Sequence, residues 1–234
     1  MSDQVHPVIY AHRGASADHP ENTLVAFAGA AEQGSDWVEL DVHLAGDGAL
    51  VVHHDPVYSD GRVVEEHPGS ARPDTVPLLV AALDACVGMG VNIELKVVRP
   101  RTDLVDRVLA LLEERRSGAD AQLVCISCFD EATLRRVRAL DPTVDTAQLL
   151  FDISGDPDAV QRAADAGAVA INPWDPFVDA DLVQQCSALG LAVNPWTVDD
   201  RGRIIELAVM GVDGIITNTP ALARSYLEGP PSGG

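Results

Sequence analysis

Three acidic side chains, Glu39, Asp41 and Glu94, stand inside short apolar runs, where acidic residues are unusual. They occur in Trp37-Val38-Glu39-Leu40-Asp41-Val42-His43 and in Val91-Asn92-Ile93-Glu94-Leu95-Lys96. Side chains alternate across a strand, so Glu39, Asp41 and His43 share one face, as do Glu94 and Lys96 on a second strand. The intervening Val38, Leu40, Ile93 and Leu95 are apolar and belong against helices. Carboxylates turned inward are costly unless something compensates their charge. An all-oxygen ligand set selects one hard divalent cation, Mg2+ or Ca2+, over zinc. The alternative is a structural network in which Arg13 and Lys96 pair with the acids.

Two imidazoles accompany this set. His12 lies in Ala11-His12-Arg13-Gly14, and His54 in Val51-Val52-His53-His54-Asp55, where alternation sends only one of the adjacent pair towards the site. Imidazole titrates near neutral pH, so His12 and His54 could serve a metal-bound substrate as general base and general acid. His6, His19, His53 and His67 read as structural hydrogen-bonders, and His43 stays open.

The elements that must position these groups follow from periodicity. Strands are expected at Val8–Ala11, Trp37–Val42, Val91–Leu95, Leu123–Ser127, Thr143–Leu149, Ala168–Ile171, Ala192–Asn194 and Gly214–Thr217. Between them, helical patterns cover Thr23–Gln33, Leu78–Val87, Thr102–Arg116, Glu131–Ala139, Pro157–Ala166, Ala180–Ala188, Arg201–Val209 and Ala221–Leu227. Gly34, Gly90, Gly167, Gly190 and Gly211 stand after helices as C-terminal caps should. Eight such β-then-α units fit a (β/α)8 TIM barrel, an α/β fold in one domain over 1–234 with its core at about 8–222. An open doubly wound sheet is the rival, but no GxGxxG follows the first strand. Leu50–His54 reads as an extra strand returning from an Asp-Gly turn, forming a short hairpin after strand 2. Residues 55–77 form a long loop, and 229–234 a flexible tail.

Composition narrows the partners. Acidic residues number 36 against 16 basic, a formal charge of −20. Such a field disfavours nucleic acid and anionic membranes, and a small anionic substrate could bind only where local cations reverse the sign. No apolar run approaches the roughly 20 residues of a membrane span, and the N-terminus lacks the pattern of a signal peptide. Four cysteines without an export signal point to the cytoplasm, and Cys125-x-x-Cys128 reads as strand packing.

HRGASADHPENT, VELDVHLAGDGALVVHHDP, VNIELK, NPWTVDD and GVDGIITNTP, in that order over nearly the whole chain, resemble the glycerophosphodiester phosphodiesterase family. The resemblance implies a TIM barrel that hydrolyses small-molecule glycerophosphodiesters to sn-glycerol 3-phosphate and an alcohol. It matches Glu39, Asp41 and Glu94 to metal ligands, and His12 and His54 to the catalytic acid–base pair. Arg13 and Lys96 match phosphate-binding cations, and Glu21, Asn22 and Trp196 match further substrate-site positions. The chain departs from the family pattern after His54-Asp55, where the insertion is short, and at Asn218, a place often held by Asp. Two competitors remain. A phospholipase D-like relative of the sphingomyelin-cleaving or lysophospholipid-cleaving kind would need an apolar rim, for which no segment is evident. A binding barrel without catalysis would be expected to have lost a ligand or a histidine, and all are present.

Overall fold

The computed structural model describes residues 6–98, 103–116 and 122–228. Eight parallel strands line the barrel: β1 (Val8–His12), β2 (Trp37–Leu44), β4 (Gly90–Leu95), β5 (Val124–Cys128), β6 (Asp145–Leu150), β7 (Ala170–Pro173), β8 (Ala192–Val193) and β9 (Gly214–Thr217). The short β3 (Leu50–Val52) pairs antiparallel with β2 as the expected hairpin, but ends before His53 and His54. Around the barrel the order is β8-β7-β6-β5-β4-β2-β1-β9. Pro195 has no N–H to continue β8, and closure onto β9 rests on hydrogen bonds such as Asp213 N to Val193 O (3.0 Å) and Ile216 N to Pro195 O (2.9 Å).

The helices are α1 (Leu24–Glu32), α2 (Leu79–Ala85), α3 (Asp103–Arg116), α4 (Glu131–Leu140), α5 (Ala159–Asp165), α6 (Ala180–Ala188), α7 (Arg201–Met210) and α8 (Pro220–Glu228). Side-chain caps fix several starts: Thr23, Asp130, Asp179 and Asp200 each accept a backbone N–H of the following first turn. The chain between α2 and β4 reverses at Gly88, whose φ of +92° needs glycine, and Gly90 instead opens β4 with no room for a Cβ against the Trp37 ring. Residues 55–77 are less irregular than expected and contain 3-10 turns at Val64–Glu66 and Gly69–Ala71. Thr102 and the 229–234 tail lie outside the described residues.

The apolar core sits between the outer face of the strands and the helices. Val38, Leu40, Val42, Ile93, Leu95 and Ile126 are buried there with Phe27, Leu79, Leu83 and Val108. Leu40→Ala would remove one such side chain from between two carboxylate-bearing positions, at about 2–5 kcal/mol. That packing pins every second residue of β2 and β4 outward, and so forces Glu39, Asp41 and Glu94 inward. The four cysteines are free, and Cys128 donates to Leu95 O (3.2 Å) as a packing residue of β5.

Candidate active site

The register of β2 on β4 pairs Asp41 with Glu94 and Glu39 with Asn92, so the acids meet inside the barrel. One ligand atom from each of Glu39, Asp41 and Glu94 lies within 4.8 Å of the others, and all three residues are buried. The structural network considered above is also present. Arg13 Nε lies 3.2 Å from Asp41 Oδ2, and Lys96 Nζ lies 3.2 Å from Asp41 Oδ1 and 2.7 Å from Glu94 Oε1. It is incomplete, because three buried acids face two cations. Glu39 receives only the Arg13 N–H (3.1 Å), with His12 Nε2 at 3.9 Å.

The imbalance shows in the titration of the acids. Burial raises all three, but Lys96 and Arg13 beside Asp41 reverse this and hold its carboxyl below the usual range. Burial, reinforced by Asp41 and Glu94, pushes Glu39 well above it. Burial and the Asp41 charge push Glu94 up to about 7. Asp41 is completely buried, and its Oδ1 meets Lys96 Nζ at 3.2 Å. Three buried carboxylates at this spacing, short of compensating positive charge, fit a hard divalent cation. A stability prediction follows. In metal-free protein, folded Glu94 binds its proton more tightly than the unfolded chain does, so stability falls as pH rises from about 5 to 8. A shift of this size is worth about 3 kcal/mol. Thermal melts across that range should show the fall, and saturating Mg2+ or Ca2+ should flatten it; a flat metal-free profile would contradict it.

Arg13 (φ +57°) and Asn22 (φ +56°) both adopt the left-handed region, uncommon outside glycine, and Asn22 N donates to Arg13 O (2.9 Å). The strain aims both side chains inward. Asn22 Nδ2 donates to Asp41 Oδ2 (2.7 Å), and the Arg13 guanidinium donates to both Glu21 oxygens at 3.0 Å. Arg13 thus spans Asp41 and the exposed Glu21, at the mouth of the site. Trp196, just after β8, donates from Nε1 to Asn172 O (2.8 Å) and joins a group of rings at the rim.

The two histidines are held differently. His12 Nδ1 lies 2.8 Å from Asn218 Oδ1, which also accepts from Ser16 Oγ (2.8 Å), while Asn218 Nδ2 donates to Asp199 Oδ2 (2.7 Å). That chain orients the amide, so Nδ1 of His12 carries the proton and Nε2 offers a lone pair towards the Glu39 side. Burial and the Arg13 charge lower the His12 pKa. His54 Nδ1 instead lies 2.8 Å from the Asp55 carboxylate, nearer solvent. The open question of His43 resolves as support: it is buried, and its Nε2 bonds His54 O (3.1 Å). His53 turns away, against Tyr58 at 5.3 Å.

Sequence reasoning missed the Asn218–Asp199 pair as a partner of His12, although Asp199 stands in the quoted NPWTVDD. It also missed the rim. There Phe129, Phe151, Trp174 and Trp196 gather from separate strand ends. Among the described residues, no helix is long and apolar enough to cross a membrane.

Known proteins are similar to this chain in sequence and fold. The family model described as the glycerophosphoryl diester phosphodiesterase family matches residues 12–60 and 58–222. A glycerophosphodiester phosphodiesterase of Bacillus altitudinis is 30% identical over 241 residues, 94% of this chain and 98% of its own. One from Caldanaerobacter subterraneus subsp. tengcongensis is 30% identical over 240 residues, 91% of this chain and 94% of its own. Among solved structures, an Oleispira antarctica phosphodiesterase in complex with the product sn-glycerol-3-phosphate superposes with a TM-score of 0.85 at 27% identity. That match covers 96% of this chain and 98% of the other. Sequence and fold agree along the whole barrel, and the chain belongs to the glycerophosphoryl diester phosphodiesterase family.

Proposed function

We propose that this enzyme hydrolyses glycerophosphodiesters to sn-glycerol 3-phosphate and an alcohol with the help of one divalent cation, using His12 as the first base and His54 as the acid. The observation that carries the reading is the inward convergence of Glu39, Asp41 and Glu94 beside the two differently held histidines. Product capture by the Oleispira antarctica phosphodiesterase supports the same product here. Glu39, Asp41 and Glu94 would hold the cation, which when bound supplies Lewis-acid polarisation of a phosphoryl oxygen.

The chain's own residues do the rest. Arg13 and Lys96, already drawn inward by the acids, face the phosphoryl oxygens as negative charge grows on them. His12 Nε2, unprotonated because Asn218 fixes the proton on Nδ1, takes the nucleophile's proton. His54, held through Nδ1 by the Asp55 carboxylate, gives a proton to the leaving alkoxide. Glu21 and Asn22 hold Arg13 and Asp41 in register.

Incubation with glycerophosphocholine and Mg2+ or Ca2+, followed by enzymatic detection of sn-glycerol 3-phosphate, tests the proposal. Release of glycerol 3-phosphate and choline in equal amounts is expected. Phosphocholine as product, or turnover of lysophospholipid alone, would replace it. The histidine assignment has its own test. Asn218→Asp would put a carboxylate on His12 Nδ1 and raise its pKa. The acidic limb of kcat/KM should then move up by about one pH unit. An unmoved limb would remove His12 as the base.

A further inference from the structure

The inside of a barrel is ordinarily filled by bulky apolar side chains. Beside and below the three acids this one is polar. Asn92, one layer beneath Glu94 on β4, stands in register between Glu39 on β2 and Cys125 on β5. Ser127 on β5 stands in register with Glu94 on one side and Ala147 on the other. Val91 and Ile93, like Ile126 and Cys128, belong to the outer core, so alternation turns Asn92 and Ser127 inward. Both are shut off from solvent, at 1% and 0% exposure. Yet Asn92 Oδ1, Asn92 Nδ2 and Ser127 Oγ find no hydrogen-bond partner among the described residues. Farther round the barrel, by contrast, the buried Asn194 Nδ2 donates to Asn172 Oδ1 at 3.0 Å. Buried polar atoms are costly unpaired, and in folded proteins they meet either protein or ordered water.

We infer that Asn92 and Ser127 bind one buried water that also donates to the Glu39 carboxylate, which makes Asn92 a positioning residue for that acid. The inference rests on the proposed reading of Glu39 as a cation ligand. A buried water makes about three hydrogen bonds, and Asn92, Ser127 and Glu39 supply partners for them from adjoining strands. Of the two residues in register with Asn92, the Cys125 thiol is a weak partner and the Glu39 carboxylate a strong acceptor. Small neighbours, Cys125 and Ala147, leave room for the water. Glu39 is also the acid that needs it. Asp41 is met by Arg13, Lys96 and Asn22, and Glu94 by Lys96. Glu39 takes only the Arg13 N–H, with His12 Nε2 beyond at 3.9 Å. Hydrogen bonds that orient a metal-ligating carboxylate are commonly worth about 10–100-fold in metal affinity.

Metal-stripped protein should be titrated calorimetrically with Mg2+ and with Ca2+ as wild type, Asn92→Leu, Asn92→Ser and Ser127→Ala, and the metal-free Tm of each measured. Leucine is close to asparagine in size and brings no polar atom. Asn92→Leu should therefore keep the metal-free Tm at or above wild type while weakening metal binding about tenfold. Serine is smaller but keeps a hydroxyl for the water, so Asn92→Ser should lower the metal-free Tm and hold affinity within about threefold. Packing alone would spare affinity in the leucine variant and penalise serine. Ser127→Ala should weaken metal binding about threefold, and should add little to Asn92→Leu because both act through one water. A crystal structure of the wild type should show that water in reach of Asn92, Ser127 and Glu39. Unchanged affinity in Asn92→Leu, weaker binding by Asn92→Ser than by Asn92→Leu, or density without the water would overturn the inference while wild-type metal binding stands. A wild type that binds neither cation would instead sink the cation reading, and the positioning role with it.

Discussion

Replacing His12 by alanine is expected to lower kcat on a glycerophosphodiester by about 10²–10⁴-fold, with KM changed little. The reason is positional. Nε2 is the lone-pair nitrogen, 3.9 Å from Glu39, and its proton inventory is set by a fixed amide at 2.8 Å on the other side of the ring. Arg13 and Lys96 cannot take its place, since both are raised further into their charged forms by Asp41 despite burial. A loss of about 10³ corresponds to about 4 kcal/mol of barrier. His54→Ala should cost a comparable factor, but one that shrinks for diesters with a more acidic leaving alcohol, which needs less protonation. His12→Ala should show no such recovery. Near-normal turnover in either variant, or the same leaving-group dependence in both, would refute the division of roles.

Removing divalent metal should abolish hydrolysis, and adding Mg2+ or Ca2+ should restore it. The acids explain why the effect should be near total. Without a metal, burial and mutual repulsion raise Glu39 and Glu94 above the usual carboxylate range, while Lys96 and Arg13 are occupied by Asp41 and Glu94. Both cations that should meet the phosphate are then engaged elsewhere. Asp41→Asn should mimic metal loss, with activity down by at least about 10³-fold and no metal-induced rise in Tm. Full activity after exhaustive chelation would rule out the cation, and a metal-induced Tm rise that survives in Asp41→Asn would place it elsewhere.

The inward acids were legible because a two-residue spacing inside an apolar run has one structural meaning once the barrel is recognised. Glu39, Asp41, Glu94 and Lys96 all lie where alternation puts them. The barrel was legible because Gly34, Gly167, Gly190 and Gly211 punctuate it, each with positive φ. Gly90 misled, since a glycine placed next to a ring and one placed for its backbone look alike in sequence, and Gly88 does the turning. The partner of His12 was not legible, because Asn218 lies 206 residues away and only closure of β9 on β1 brings it near. The aromatic rim was hidden for the same reason, one or two rings per loop and no local pattern to add them up.

The hairpin of β2 and β3 binds two distant events together. Glu39 and Asp41 ride on one arm, and His54 follows the other, with Leu44 opposite Leu50 and the turn held by Asp47 Oδ1 bonding Ala49 N and Gly69 N. Gly48 completes that turn at φ +85°, where a Cβ would come within 2.9 Å of the Arg107 guanidinium. Lengthening or stiffening this turn would therefore slide His54 relative to Glu39 and Asp41 without touching any of them, so on the proposed mechanism a lesion in the turn would be felt as mistimed departure of the alcohol.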